Sequence, residues 1–442
     1  MKLKQFRAAV LIALAIGASG CGIIKKGHPK TPVLGNRIDV LTTEAQVKVD
    51  PATAALPMAL PAPVGNTDWD QSGGNASKSM GNLALGPRPT QAWAVSVGQG
   101  NTVKELLSAG PRIADGKVFT MDTTGTIRAS DAKTGAPLWR ARFGYEAGQQ
   151  GAMFGGGLSY AGGRIYATNG LGFVAAIDAS NGKLLWQVQP GGPLRGSPTV
   201  AGDAVYVISE DNQIYSLKLA DGSTNWSQAG SLEIAGIFGT PAPAFAQGTV
   251  IAGFSSGELN AYRYENGRSV WQDVLAPTSI RTTVASLSDI NAEPVVDNGQ
   301  VIAIGAGGRM VALELVTGQR MWENNLPGIS TPAVAGDWVF VVTTDGRLIA
   351  LARANGKVRW ITQLPAFRKP KSKSGPISYV GPILAGNRLI LGGSNGALIF
   401  VDPATGAVQW QTALKAGISV SPSVANSTLY VLDDNGILHA FR

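Results

Sequence analysis

The chain has 442 residues, 44% hydrophobic and 15% charged, with 57 Gly, 25 Pro and a formal net charge of +8. This composition is ordinary for a turn-rich all-β protein with ample material for a large core. Setting aside Lys2, Lys4 and Arg7 at the N-terminus leaves 34 basic against 29 acidic residues, a charge of +5 that is too mild and too dispersed to expect a nucleic-acid partner.

Residues 1–20 read as an export signal. Lys2, Lys4 and Arg7 form a positive start, and Ala8 to Ala18 form an apolar run too short to span a bilayer. Ala18-Ser19-Gly20-Cys21 resembles a bacterial lipobox, although Ala18 stands where Leu is commoner. The resemblance implies a diacylglycerol-modified Cys21, the only cysteine in the chain, and leaves no partner for a disulfide. Gly22 rather than Asp then resembles lipoproteins sorted to the outer membrane, which places the protein on its periplasmic face, held by lipid.

Residues 21–66 are expected to be a lipid-anchored, flexible tether. Pro32, Pro51, Pro57, Pro61 and Pro63, with a Pro- and Ala-rich run from Asp50 to Val64, favour an extended spacer.

Residues 67–442 carry a repeat. A turn ending in Gly, three residues and then Trp recurs at Trp139, Trp186, Trp226, Trp271, Trp322, Trp360 and Trp410, in steps of 47, 40, 45, 51, 38 and 50 residues. Thr-Gly or Asn-Gly supplies the positive φ of a tight turn between strands of one sheet. The Trp falls early on the next strand, where its ring covers the neighbouring sheet and its N–H finds an acceptor. A period in the forties built from short strands predicts a β-propeller. Eight hairpins of alternating apolar residues count the blades: 115–129, 162–177, 202–217, 247–262, 298–313, 336–351, 386–401 and 426–441. The last hairpin leaves no room for an outermost strand, and Trp93 lies 46 residues before Trp139 without a hairpin of its own. The expected fold is therefore an all-β, eight-bladed propeller of four-stranded antiparallel blades, closed by an N-terminal strand in the last blade. A seven-bladed ring with a spare hairpin is the alternative.

The residues that follow the Trp (Arg140, Gln187, Ser227, Gln272, Glu323, Ile361 and Gln411) exclude the WD pattern. The Asp-x-x-Thr-Gly-x-x-x-Trp form at Asp131–Trp139 and Asp402–Trp410 resembles the repeat of quinoprotein, or PQQ-type, propellers. That likeness is specific for fold and open for function. One reading is a periplasmic PQQ-dependent dehydrogenase, which the resemblance implies would need a quinone on the ring axis, a calcium ion, a carboxylate base and usually an adjacent Cys-Cys pair. Cys21 is the last cysteine, and the two histidines, His28 and His439, cannot assemble a metal site. The acidic clusters Glu210-Asp211-Asn212 and Asp433-Asp434-Asn435-Gly436 sit where the hairpins require turns. No catalytic residue, metal site or cofactor is expected.

The other reading rests on a resemblance to the BamB family of the outer-membrane β-barrel assembly machinery, which combines leader, lipobox, tether and eight-bladed ring. Residues 286–296 resemble a stretch that in the family leads from the fourth blade to the fifth and uses acidic residues to contact the central barrel protein. Leu287 lies within it, Asp289 matches one acid, and Asn291 replaces a second. The segment 232–243 resembles the family's main binding loop, with Ala235, Gly236, Ile237 and Phe238 before Gly239-Thr240 and Phe238 in the place of an Arg. The resemblance implies a non-enzymatic scaffold that binds the periplasmic domains of the central barrel protein through loops on one face. It also implies contact with unfolded outer-membrane clients by strand addition. Arg281, in the connection 275–286, is a further candidate for that face, and the basic loop 368–373 reads as a solvated turn, with contact to acidic protein or anionic lipid headgroups as the alternative.

Overall fold

The computed structural model describes residues 47–144, 155–233, 239–275 and 288–442. Among these residues eight four-stranded antiparallel sheets, numbered in chain order, form a propeller: I (112–141), II (156–188), III (199–229), IV (244–274), V (295–324), VI (333–363), VII (379–413) and VIII (423–441 with 91–96). Each runs from an inner strand (a) at the hub through b and c to an outer strand (d). Sheet III is typical, with Thr199–Ala201, Ala204–Ile208, Gln213–Lys218 and Thr224–Ala229 in that order. Sheet VIII takes strands a to c from Ser423–Ala425, Thr428–Leu432 and Ile437–Phe441. Its outer strand is Gln91–Ser96, antiparallel to Ile437–Phe441 with Ala94 opposite His439. The two ends of the repeat array thus share one sheet.

The turn between c and d explains the motif's composition. Asp131 Oδ1 accepts hydrogen bonds from the backbone N–H of Lys133 and Thr134 at 3.0 and 2.8 Å and from the Thr134 hydroxyl at 2.7 Å. Asp402 does the same toward Ala404 and Thr405. These bonds hold the Asp131 carboxyl below its ordinary pKa, chiefly through the Thr134 hydroxyl. The following Gly then takes the left-handed conformation, as at Gly182 with φ +79°.

Six of the seven motif Trp residues cement one sheet to the next, and the seventh, Trp410, stacks on Phe400 of its own sheet with ring centroids 4.5 Å apart. Nε1 of Trp139 donates to Ala179 O, Trp186 to Leu219 O, Trp226 to Tyr264 O, Trp271 to Leu315 O, Trp322 to Arg353 O and Trp360 to Pro403 O, at 2.7–3.1 Å. Every acceptor lies in the c–d turn region of the following sheet. The ring of the same Trp covers that turn's Gly, and a β-carbon on Gly182 would stand 2.7 Å from the Trp139 indole. Within its own sheet each of these six faces a small residue on strand c, such as Ala129 opposite Trp139 and Ala176 opposite Trp186. Apolar side chains fill the space between sheets. Between I and II these are Phe119, Ile127, Leu158, Ile165 and Ile177, none of them exposed.

Residues 47–66, which composition places in a free spacer, lie against the blades. Asp50 caps a short helix, α1 (Pro51–Ala55), by accepting from Thr53 N at 2.8 Å. Asp50 N donates to Val358 O at 2.9 Å, and Arg359 Nη1 donates to Thr53 O at 3.2 Å. Met58 and Leu60 pack on the apolar cluster between sheets VI and VII. Prolines suit this path because it is extended and uses few backbone donors. Composition alone does not reveal the apolar contacts that hold it. Residues 1–46, with Cys21, lie outside the described residues.

Candidate partner-binding face

In a four-stranded antiparallel blade the a–b and c–d turns share one face of the disc. The b–c turns and the connections from strand d to the next strand a share the other. The two faces differ in this protein. On the a–b side, residues 66–85 cross the hub and hydrogen-bond to inner strands. On the d–a side the hub is bordered by the connections between sheets.

Between the crossing segment and the residues leading into the inner strands lies a cavity of about 290 Å³. Its lining includes Trp69 and Lys78 from the crossing segment, Arg112 at the start of the inner strand of sheet I, and Asn291, Glu293 and Ile329 from the surrounding connections. Lys78 is buried and donates to Thr199 Oγ1 at 3.1 Å. Burial pushes its ammonium down from 10.5 to about 8, against the opposing pull of Glu293. Burial likewise lowers Arg112 to about 10. The Arg112 guanidinium is spent on Leu158 O (2.8 Å), Gly110 O (3.0 Å) and Ser197 Oγ (3.0 Å) and so braces sheets I to III.

The candidate residues of the fourth-to-fifth connection fall within this hub. Asp289 has no exposed surface and Asn291 is 7% exposed. Arg195, in the connection before sheet III, reaches both: Nη2 stands 3.5 Å from Asp289 Oδ1 and 2.9 Å from Asn291 Oδ1. Both side chains thus face inward rather than toward solvent. They brace the connection from within, because a carboxylate in this enclosed position is stabilised by a buried guanidinium rather than by water. Sequence patterning missed Arg195, which lies 94 residues from Asp289 and in no repeat position. Ala235, Gly236, Ile237, Phe238, Arg281 and Leu287 lie outside the described residues.

Other parts of the d–a face are exposed. Leu232 is 72% exposed just before the candidate loop, and its neighbour Ser231 is fixed by Glu258, which accepts from Ser231 N at 2.7 Å and from Ser231 Oγ at 2.6 Å. Asn212, in the b–c turn of sheet III, donates to Ser231 O at 2.7 Å. Leu106 and Ile329 line the cavity and are each 39% exposed, and Val103 is fully exposed. The basic loop forms a small hairpin, Phe367–Lys369 with Ser374–Pro376, in the connection from VI to VII, with Lys369, Lys371 and Lys373 exposed. The acidic clusters are turns: Asp433 Oδ1 accepts from Asn435 N and Ile437 N, both at 3.0 Å. His439 bridges Asp433 Oδ2 at 3.0 Å and Gln91 Oε1 at 3.2 Å across the shared sheet VIII.

Residues 69–154, 123–362 and 367–442 match the family described as outer membrane protein assembly factor BamB. The chain belongs to that family. A BamB from Yersinia pestis is 27% identical over 247 residues, 55% of this chain and 62% of its own length, so the chain spans less than two thirds of that relative. Among solved structures, BamB from Moraxella catarrhalis superposes with a TM-score of 0.68 at 20% identity, covering 80% of this chain and 100% of that one. Quinohemoprotein alcohol dehydrogenase from Comamonas testosteroni gives 0.66 at 13% identity, covering 85% and 80%. At those identities both likenesses are of fold alone.

The calcium implied by the quinoprotein likeness does not fit the hub. Calcium needs several converging oxygen ligands. Here the carboxylate lining the cavity, Glu293, shares it with Lys78 and Arg112. Among the described residues no three His, Cys, Asp or Glu converge as a metal site.

Proposed function

We propose that this BamB-family protein is a non-enzymatic scaffold of the outer-membrane β-barrel assembly machinery, carried on the periplasmic face of the outer membrane by lipid on Cys21. Its d–a face docks the periplasmic domains of the central barrel protein. The observation that carries this reading is the family match across most of the ring, together with a d–a face that displays Leu232, Leu106 and Ile329. An aromatic such as Phe238 suits an apolar pocket where an Arg would need an acidic partner. Arg195, Asp289 and Glu258 act one layer below, setting the position of the connections that make contact. Clients bind more weakly, through strand addition to outer blade edges.

Site-specific photocrosslinking tests the docking face. A photoreactive residue in place of Leu232 is expected to give an adduct with the central barrel protein. The same residue in place of the exposed Leu138, on an outer strand, is expected to give none. An adduct from Leu138 alone would overturn the assignment of the face.

A further inference from the structure

The crossing segment binds seven of the eight inner strands. At sheet VIII, Asn426 N donates to Asn66 O at 2.8 Å and Asn66 Nδ2 donates to Val424 O at 2.6 Å. At sheet I, Trp69 and Ile113 exchange both backbone bonds at 2.8 and 3.0 Å. Tyr160 N of sheet II donates to Asp70 O at 2.7 Å. In sheet III the Gln71 side chain takes both groups of Val200, at 2.8 and 2.9 Å. Phe245 N of IV and Val296 N of V donate to Ala76 O and Ser77 O, each at 2.8 Å. At sheet VII, Leu83 N donates to Leu384 O at 3.1 Å and Gly386 N to Leu83 O at 2.7 Å. At sheet VI, Pro61 passes beside Gly336, and Asn82 Nδ2 ties Pro61 O back to the crossing segment at 2.8 Å.

These bonds satisfy a specific deficit. Strand a is the edge of every sheet at the hub, so its axis-facing N–H and C=O groups have no partner within the sheet. Residues 66–85 supply those partners in ring order from VIII through V and then at VII. Trp69, Leu83 and Leu85 join the apolar cluster at the junction of VII, VIII and I, where the first and last strands of the repeat array meet. The closing strand Gln91–Ser96 follows a few residues later.

We propose that residues 57–87 are an intramolecular clasp. It holds the ring closed independently of the strand pairing in sheet VIII. It also seals the hub on the a–b side, leaving a blind cavity approached from the d–a face. Loss of either closure alone leaves the other in place. The clasp accounts for the Asn- and Gly-rich stretch 66–82, which the repeat does not require: Gly73 and Gly74 have φ of +70° and +96°, and Asn66 and Asn82 make the side-chain bonds at sheets VIII and VII.

The test cuts the folded full-length chain. A protease site inserted between the exposed Pro87 and Arg88 separates clasp from ring without removing either. The cut protein is expected to keep the N-terminal piece through gel filtration and to release it only in denaturant. Once the piece is removed, the amides of Ile113, Tyr160, Phe245 and Val296 are expected to exchange with solvent about tenfold faster or more. A ring that cannot be freed of the piece without unfolding also supports the clasp. The proposal is overturned if the piece drifts away on cutting and those amides exchange at the same rate without it.

Discussion

Arg195 and Asp289 meet at 3.5 Å inside the hub, joining the connection before sheet III to the connection before sheet V. Neither reaches bulk water to any extent, at 5% and 0% side-chain exposure. Removing one partner strands the other charge, which typically costs ~3–5 kcal/mol. Asp289→Ala is expected to lower stability by that order, read as a fall in the urea midpoint. A variant as stable as wild type would show that the pair does not brace the hub.

Gly182 lies under the Trp139 ring with φ +79°, and an added β-carbon would stand 2.7 Å from the indole. Gly182→Ala therefore meets both backbone strain and a rigid ring. A loss of ~1–3 kcal/mol is expected in equilibrium unfolding. Gly192→Ala, where a β-carbon meets nothing within 4 Å, is the control and is expected to be near neutral.

The repeat tryptophans are not equivalent. Trp186 Nε1 donates to Leu219 O at 3.0 Å, whereas Trp93 Nε1 is buried without a partner among the described residues. Both Trp→Phe changes remove similar bulk, but only Trp186→Phe breaks a hydrogen bond. It is expected to cost about 1 kcal/mol more than Trp93→Phe. Equal costs in urea unfolding would contradict the assigned role of the Nε1 bonds.

Lys78 gives the protein an alkaline signature. Its folded-state value is about 8, below the ordinary 10.5. Between those values the unfolded chain holds a proton that the folded chain has released, so stability rises with pH. The rise approaches ~1.4 kcal/mol per unit in the steepest part of the window. Below pH 8 both states are protonated and the effect vanishes. Expressed as the difference between wild type and Lys78→Met, the urea-derived stability is expected to climb from pH 8 to 10. A flat difference would mean that the ammonium is not buried as described.

Blade number and the inter-blade Trp were legible because the repeat writes them into the chain. Gly at a left-handed turn and Trp four residues later are local requirements, repeated at Gly135–Trp139 through Gly406–Trp410. The hub was less legible. Residues 66–85 make long-range, irregular contacts, and nothing periodic marks Asn66, Gln71 or Lys78 as partners of inner strands. Asp289 and Asn291 were found by resemblance, but their burial depends on Arg195 in a distant connection. Polar residues at a loop suggest a surface until their buried partner is known.

The central claim is that the d–a face docks onto the barrel-assembly machinery. Affinity purification of the full-length protein from detergent-solubilised membranes, followed by mass spectrometry, tests it most directly. The account predicts that the central barrel protein is recovered with wild type and is depleted with Phe238→Arg, while the variant ring unfolds at the wild-type urea midpoint. Recovery of that partner undiminished with Phe238→Arg, or its absence from the wild-type sample, would contradict the account.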